Sequence, residues 1–443
     1  MEYAYQLYWK LHAYRGSRWR LADGRELLVS SPGIPNGNAG ADFSYARLLI
    51  DGVAWAGDVE VHVRASDWHR HGHDGDPSYG NVILHVVGID DARIQHADGS
   101  EIPQLVIAPP EDFLESWSRL SSYPDEAACA DAVSSLDPLL RSDWLYTLAG
   151  TRLRSRGEEI TSLAIKYMRD WQRVCFVTVA RALGVGLNGD SFEATAHHIP
   201  LNFLSRHSDN ILQLEALVFG QAGLLAEGGG EGDYFDRLRM EYKFLAHKYN
   251  LRPAPCIWKK ARVRPASSFY RRLALLASLC GGGFSLLADI IDIGHALNQA
   301  EGQPLKPVKK WIDDFRMLFR RDVSLYWQTH HDLSGVPSKR TVGSVAGNAF
   351  LDSLVINAVV PLLYGYAVET GDNILADAAE TILCNLPAEN NSIVRRWKSA
   401  QLPLRSAFET QALIYLYRSY CTTGRCHLCR FARALLSPDR QIR

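Results

Sequence analysis

Glu60 and His62 stand two residues apart in Val59-Glu60-Val61-His62-Val63-Arg64, where valines alternate with polar side chains. A period of two marks a half-buried strand, so this spacing puts the carboxylate and the imidazole on one face. The preceding strand-like run, Phe43–Ile50, follows Asp42 directly and ends at Asp51-Gly52, a two-residue hairpin signal. A regular hairpin would set Asp42 opposite Val61, on the wrong face. Glycine inside a strand often marks a bulge, and one extra residue at Gly57 would bring Asp42 opposite His62 with Glu60 on the same side. Two carboxylates and an imidazole so placed suit Mg²⁺ or Mn²⁺. The cation would be held by Asp42 and Glu60, could polarise a phosphate and would lower the pKa of a bound water. His62 would position or deprotonate that water, with Asp58 and His85 in support. The plain alternative is an exposed strand face with ordinary charges.

The order of helix, hairpin carrying an Asp, and strand carrying Glu-x-base resembles the PD-(D/E)xK nuclease superfamily. The resemblance implies a restriction-endonuclease-like core, a metal-dependent nuclease activity and nucleic acid as partner. Asp42 and Glu60 match the two acidic positions, and Glu2 matches an optional upstream Glu. His62 stands where that superfamily has Lys, and imidazole lacks the fixed positive charge toward phosphate. A non-catalytic nucleic-acid or protein-binding scaffold built on a degenerate core is the alternative reading.

Three further constellations carry chemistry. Five of the 15 histidines fall between positions 62 and 85, and His69, His71 and His73 share a connector rich in Gly and Asp. They read first as loop histidines hydrogen-bonded to Asp67, Asp74 and Asp76, and second as ligands for Zn²⁺ or another transition metal. Cys421-x4-Cys426-x2-Cys429 has the thiolate spacing of a structural zinc, one ligand short, with Cys384 a remote candidate for the fourth. Lys259, Lys260, Arg262, Arg264, Arg271 and Arg272 interleave with Trp258, Phe269 and Tyr270, which would suit a nucleic-acid track or simply a solvated face. Gly184-x-Gly186-x-x-Gly189 spells a dinucleotide fingerprint in letters only, because no alternation of strands and helices surrounds it.

The elements that must position these groups divide the chain. Tyr3, Leu7, Leu11 and Tyr14 predict an opening helix, and strand-like runs follow at Glu26–Ser31, Phe43–Ile50, Val53–Arg64, Val82–Val87 and Gln104–Ala108. Residues 1–110 therefore read as an α+β domain of one helix and about five mostly antiparallel strands. Beyond Pro109-Pro110 the texture is helical, as in Phe235, Leu238, Tyr242, Leu245 and Tyr249, so 111–443 reads as a large all-α domain with a Cys-bearing tail. Hydrophobic residues make up 47% and charged residues 22% of the 443, which excludes a disordered chain. Net charge is −1, but residues 1–110 hold 9 Lys/Arg against 14 Asp/Glu, which excludes a uniformly basic nucleic-acid glove. The uncharged runs Leu273–Ala288 and Ser353–Val368 fall short of the ~20 residues needed to span a bilayer, and Gly281–Gly283 and Pro361 interrupt them. No secretory signal opens the chain, and eight cysteines are too few for a disulfide framework. A cytoplasmic protein is expected.

Longer stretches are similar to one bacterial family throughout. Leu7-Tyr8-Trp9-Lys10, Asn38-Ala39-Gly40-Ala41-Asp42-Phe43, Trp55 to His62, Ser66-Asp67-Trp68, Asn81 to Val87, Glu215 to Gly223 and the Cys421/Cys426/Cys429 tail resemble the family known as domain of unknown function 2851. Ala41 departs from it, standing where the family has Pro. The resemblance implies that the N-terminal constellation and the helical remainder travel together.

Overall fold

The computed structural model describes residues 1–14, 16–36, 40–121, 127, 129–184, 186–259, 268–298, 306–339 and 346–436. Helix α1 (Glu2–His12) is followed by strands β1 (Arg18–Arg20), β2 (Glu26–Ser31), β3 (Ile34–Pro35), β4 (Phe43–Ile50) and β5 (Val53–Arg64). A short helix α2 (Asp67–Arg70) then leads to β6 (Val82–Ile89) and β7 (Gln104–Val106). The seven strands form one sheet in the order β1-β2-β4-β5-β6-β7, with β3 also paired to β4. Pairing is antiparallel up to β5, then parallel from β5 to β6 and from β6 to β7, so the sheet is mixed. The strands that the alternation misses are β1 and β3, too short at three and two residues to show a period.

The hairpin between β4 and β5 turns at Asp51 and Gly52, both with positive φ, and pairs Ile50 with Val53 as the Asp-Gly signal requires. The expected bulge exists but lies on the other strand. Ala46 pairs with Gly57 and Phe43 with Val59, so the extra residue is on β4, at Tyr45, whose φ is +62°. Continued one step, this register sets Asp42 opposite Glu60 rather than His62. A bulge on either strand restores the same face, which is why the convergence survives the correction. Gly57 has a different role: a Cβ there would meet the Asn81 carbonyl oxygen and the Ile83 side chain of the neighbouring segment at 2.5 Å.

One face of the sheet is apolar. Val59, Val61, Leu84, Val86 and Leu105 pack with Trp9 and Ala13 of the N-terminal segment in a single buried cluster. Glu60, His62 and His85 project from the opposite face and are themselves buried, beside a smaller cluster of Ala41, Trp68, Val82, Ile94 and Ile102.

The chain divides into two compact units. The first comprises Met1–Leu145, Asn390–Pro403 and Leu413–Arg443, so the sheet shares its unit with C-terminal segments. The second comprises Tyr146–Glu389 and Leu404–Ala412 and is helical, including Asp233–Tyr249, where the spacing of Phe235 to Tyr249 places a helix. Its apolar helix Asn348–Thr370 is continuous: Pro361 is accommodated at the start of a new α-helical stretch after a π-helical turn at Val355–Val359. By length and composition alone that helix could cross a membrane, but 67% of its apolar window is buried inside the protein. Val174–Ala180, ahead of the glycine fingerprint, lies in the helix Trp171–Leu183, so the strand that must lead into a dinucleotide loop is replaced by a helix.

Candidate metal centre

Three strands and two loops build the site. Gln104 of β7, His85 of β6 and Glu60 of β5 are lateral partners in the parallel part of the sheet, and Asp42 extends the row beside Glu60. The Asp42 backbone N–H donates to Glu60 Oε2 at 3.0 Å. The Asp42 carboxylate accepts from Gln6 Nε2 at 2.7 Å and from the Val61 N–H at 3.1 Å. Glu2, half-buried in the first turn of α1, contributes its charge to both Asp42 and Glu60. The structure therefore brings Asp42 and Glu60 together, with Asp42 behind Glu60 and both its oxygens occupied, and Glu2 acts on the pair through its charge.

The connector after β5 folds back over this row. His62 Nε2 lies 3.1 Å from His71 Nδ1 and 3.5 Å from Glu60 Oε1, while His73 Nε2 lies 3.4 Å from the same Glu60 oxygen. The donor atoms of His62, His71 and His73 all fall within 4.8 Å of one another. Bonds of about 2.0–2.1 Å to a tetrahedral metal ion set its ligand atoms roughly 3.3 Å apart, which these separations match. Behind His62, its Nδ1 meets His85 Nε2 at 2.9 Å, so with Nε2 turned to the cluster Nδ1–H donates to His85. His71 is exposed, whereas His62, Glu60 and the His73 side chain are largely covered.

Electrostatics favour a cation here. Burial, and then the Glu2 charge, holds Asp42 well above the usual carboxylate range. Burial and then Asp42 push Glu60 higher still. Burial, reinforced by His71 and His73, lowers His62 to about 3, and burial with His62 lowers His85 to about 3. The His62 and His85 rings are thus neutral, which leaves His62 Nε2 able to ligate, and the carboxylates lack a compensating positive charge.

The remaining candidates fall elsewhere. Asp58 accepts the Tyr45 N–H at 3.1 Å and Asn81 Nδ2 at 3.3 Å, so it braces the β4 bulge. Only His69 fits the loop-histidine reading, bonded to Asp74 at 2.8 Å; Asp76 instead caps Ser78. His73 also stacks on Tyr79 with ring centroids 3.8 Å apart, and Trp68 edges His73 and His85. Gln6 and Tyr79 escaped the sequence reading because nothing in their spacing ties them to β5, and Trp68 entered it only as part of a family motif.

The basic track is not assembled among the described residues. Arg271 donates to the Trp327 carbonyl at 3.1 Å, and Arg272 donates to the Leu183 carbonyl at 3.0 Å and lies over Phe350. Burial lowers the pKa of both, so they serve packing. Lys259 is exposed, with its backbone bonded to Asn188, while Lys260, Arg262 and Arg264 lie outside the described residues. Cys421, Cys426 and Cys429 come together in the first unit, whereas Cys384 lies in the second, beside Glu380 and Glu409.

No curated protein and no solved structure matches the chain. A family model described as "Protein of unknown function (DUF2851)" matches residues 2–392, which takes in the whole sheet and most of the helical unit and stops short of the Cys421–Cys429 tail. The chain belongs to the DUF2851 family.

Proposed function

We propose that the protein is a metal-dependent phosphodiester hydrolase of nuclease type, whose ion is a transition metal held by Glu60 Oε1, His62 Nε2 and His73 Nε2. The observation that carries the reading is that Glu60 Oε1 lies 3.5 Å from His62 Nε2 and 3.4 Å from His73 Nε2, with His71 Nδ1 3.1 Å from His62 Nε2. Oxygen-only ligation of Mg²⁺ by Asp42 and Glu60 fits less well, because both Asp42 oxygens already accept N–H groups. His62 is then a ligand and not a base.

A bound Zn²⁺ or Mn²⁺ would supply a polarised water near neutral pH and a counter-charge for phosphate. The chain's own residues do the rest. Asp42 fixes the second oxygen of Glu60, His85 fixes the ring of His62, and Tyr79 fixes the ring of His73 by stacking. His71, the exposed imidazole, marks the solvent side, where water or substrate enters. A structural site is closed by buried ligands, whereas a catalytic one keeps such a position. Support for a phosphodiester substrate comes from the order of helix, hairpin Asp and strand Glu-x-His shared with the nuclease superfamily.

The test is metal content of the purified chain, followed by cleavage of labelled DNA, labelled RNA and a chromogenic phosphodiester with Zn²⁺, Mn²⁺, Mg²⁺ or EDTA. Metal-dependent cleavage that disappears in Glu60→Gln and His73→Ala is the expected result. Stoichiometric metal without cleavage of any substrate would reject the hydrolase and leave a metal-binding scaffold. Absence of metal would reject the centre itself.

A further inference from the structure

Four of the eight cysteines gather at a second place in the sheet-bearing unit. Cys421 and Cys426 bracket a tight loop in which the Gly424 N–H donates to the Cys421 carbonyl at 3.1 Å and the Arg425 N–H to the Tyr420 carbonyl at 2.8 Å. A single turn separates Cys426 from Cys429, closed by the Cys429 N–H on the Cys426 carbonyl at 3.0 Å. The fourth comes from nearly three hundred residues earlier. Cys129 directly precedes the short helix Ala130–Val133, which packs against Arg430–Leu436, the helix that directly follows Cys429. Each thiol feels the other three: Cys129 with Cys429, Cys421 and Cys426; Cys421 with Cys429 and Cys426; and Cys426 with Cys429.

Their surroundings are not purely apolar. Cys429 is buried and the other three half-buried, and none is in a disulfide. The backbone N–H groups of Phe431 and Ala432 are directed at the Cys429 sulfur, and the Trp144 indole N–H, with no other partner among the described residues, faces it as well. These backbone N–H groups open the helix Arg430–Leu436 and lack intrahelical partners, and a metal-bound sulfur would accept them more strongly than a neutral thiol.

The spacing of the sulfurs bears on what they bind. One zinc ion with bonds of about 2.3 Å draws four thiolates to within roughly 3.8 Å of each other. No three of these sulfurs are among the described groups whose donor atoms all close to within 4.8 Å of one another. A cluster of two or four irons interposes its own sulfide skeleton and holds some of its cysteine sulfurs about 6 Å apart.

We propose that Cys129, Cys421, Cys426 and Cys429 hold a polynuclear iron–sulfur cluster, which pins the C-terminal segment to the N-terminal part of the same unit. This site is separate from the histidine centre and stands whether or not the protein is a hydrolase. The single zinc suggested by Cys421-x4-Cys426-x2-Cys429 alone fits these separations less well.

The experiment is expression and purification of the full chain under anaerobic conditions, with iron, acid-labile sulfide and zinc measured per chain and the visible spectrum recorded. Equal iron and sulfide, about two or four of each per chain, with charge-transfer absorption is the expected result. Cys129→Ser would lose both, whereas Cys384→Ser and His73→Ala would keep both. Because Cys129→Ser could also unfold the unit, protection of the four thiols from alkylation is read in the wild-type chain before and after chelation. One zinc per chain in place of iron would overturn the cluster. Neither metal, even after incubation with ferrous iron and sulfide, together with four freely alkylated thiols, would overturn the site.

Discussion

Tyr45 gives its backbone N–H to the Asp58 carboxylate at 3.1 Å, across the point where β4 carries one residue more than β5. That bond holds a non-glycine residue at φ +62°, and the bulge it braces decides which side chains of the hairpin share a face. Asp42 and Glu60 are neighbours because of it.

Asp58→Ala should therefore act at a distance. Tyr45 would lose its acceptor, the bulge would loosen, and metal affinity should fall by about 10-fold, as for loss of an outer-shell partner. Stability should drop by roughly 1 kcal/mol, the net worth of such a hydrogen bond. Isothermal titration with Zn²⁺ and a thermal melt of the same variant check both; unchanged affinity would mean that the bulge does not need its brace.

Metal should stabilise the fold in proportion to its binding. At a free concentration of 100 times Kd, the gain is about 2.7 kcal/mol. Zn²⁺ or Mn²⁺ should raise the Tm and EDTA should reverse the rise. His62→Ala and His73→Ala should remove the effect, and exposed His71→Ala should weaken it. Equal shifts in all three variants would place the ion elsewhere.

The helical unit carries its own pH dependence. Glu215 accepts the Tyr234 hydroxyl at 2.6 Å, and burial raises its pKa from 4.5 to about 7. The folded chain thus binds a proton more tightly than the unfolded one, so this stabilisation is complete below pH 4.5 and is lost as pH rises through 7. The loss amounts to roughly 3 kcal/mol. Glu215→Gln should flatten the urea midpoint between pH 5 and pH 8, and should leave the variant more stable than the wild type at the upper end.

Gly220→Ala separates propensity from packing. Gly220 is the penultimate residue of the helix Ile211–Gln221, where alanine is intrinsically better by at most about 1 kcal/mol. A Cβ at Gly220, however, would run into the Tyr242 ring, and overpacking of this kind costs about 1–3 kcal/mol. Net destabilisation is expected, reversed in Gly220→Ala with Tyr242→Leu, as read from denaturant midpoints.

The sequence by itself determined the strands at Glu26–Ser31, Phe43–Ile50 and Val53–Arg64, their hairpin, the shared face of Glu60 and His62, and the helical texture after Pro110. These depend on local periodicity and turn chemistry, which act between residues close in the chain. Tertiary structure decided that the bulge sits at Tyr45 and not at Gly57, since the choice turns on the neighbouring segment pressing its Asn81 carbonyl and Ile83 side chain against Gly57. It decided that His71 turns to His62 and His73 to Glu60 while His69 stays with Asp74, because a connector without helical or strand period leaves side-chain direction open. It withdrew Arg271 and Arg272 into carbonyl contacts that spacing cannot reveal. It also brought Cys129 to Cys421, Cys426 and Cys429, a meeting across nearly three hundred residues that depends on packing and not on any local rule.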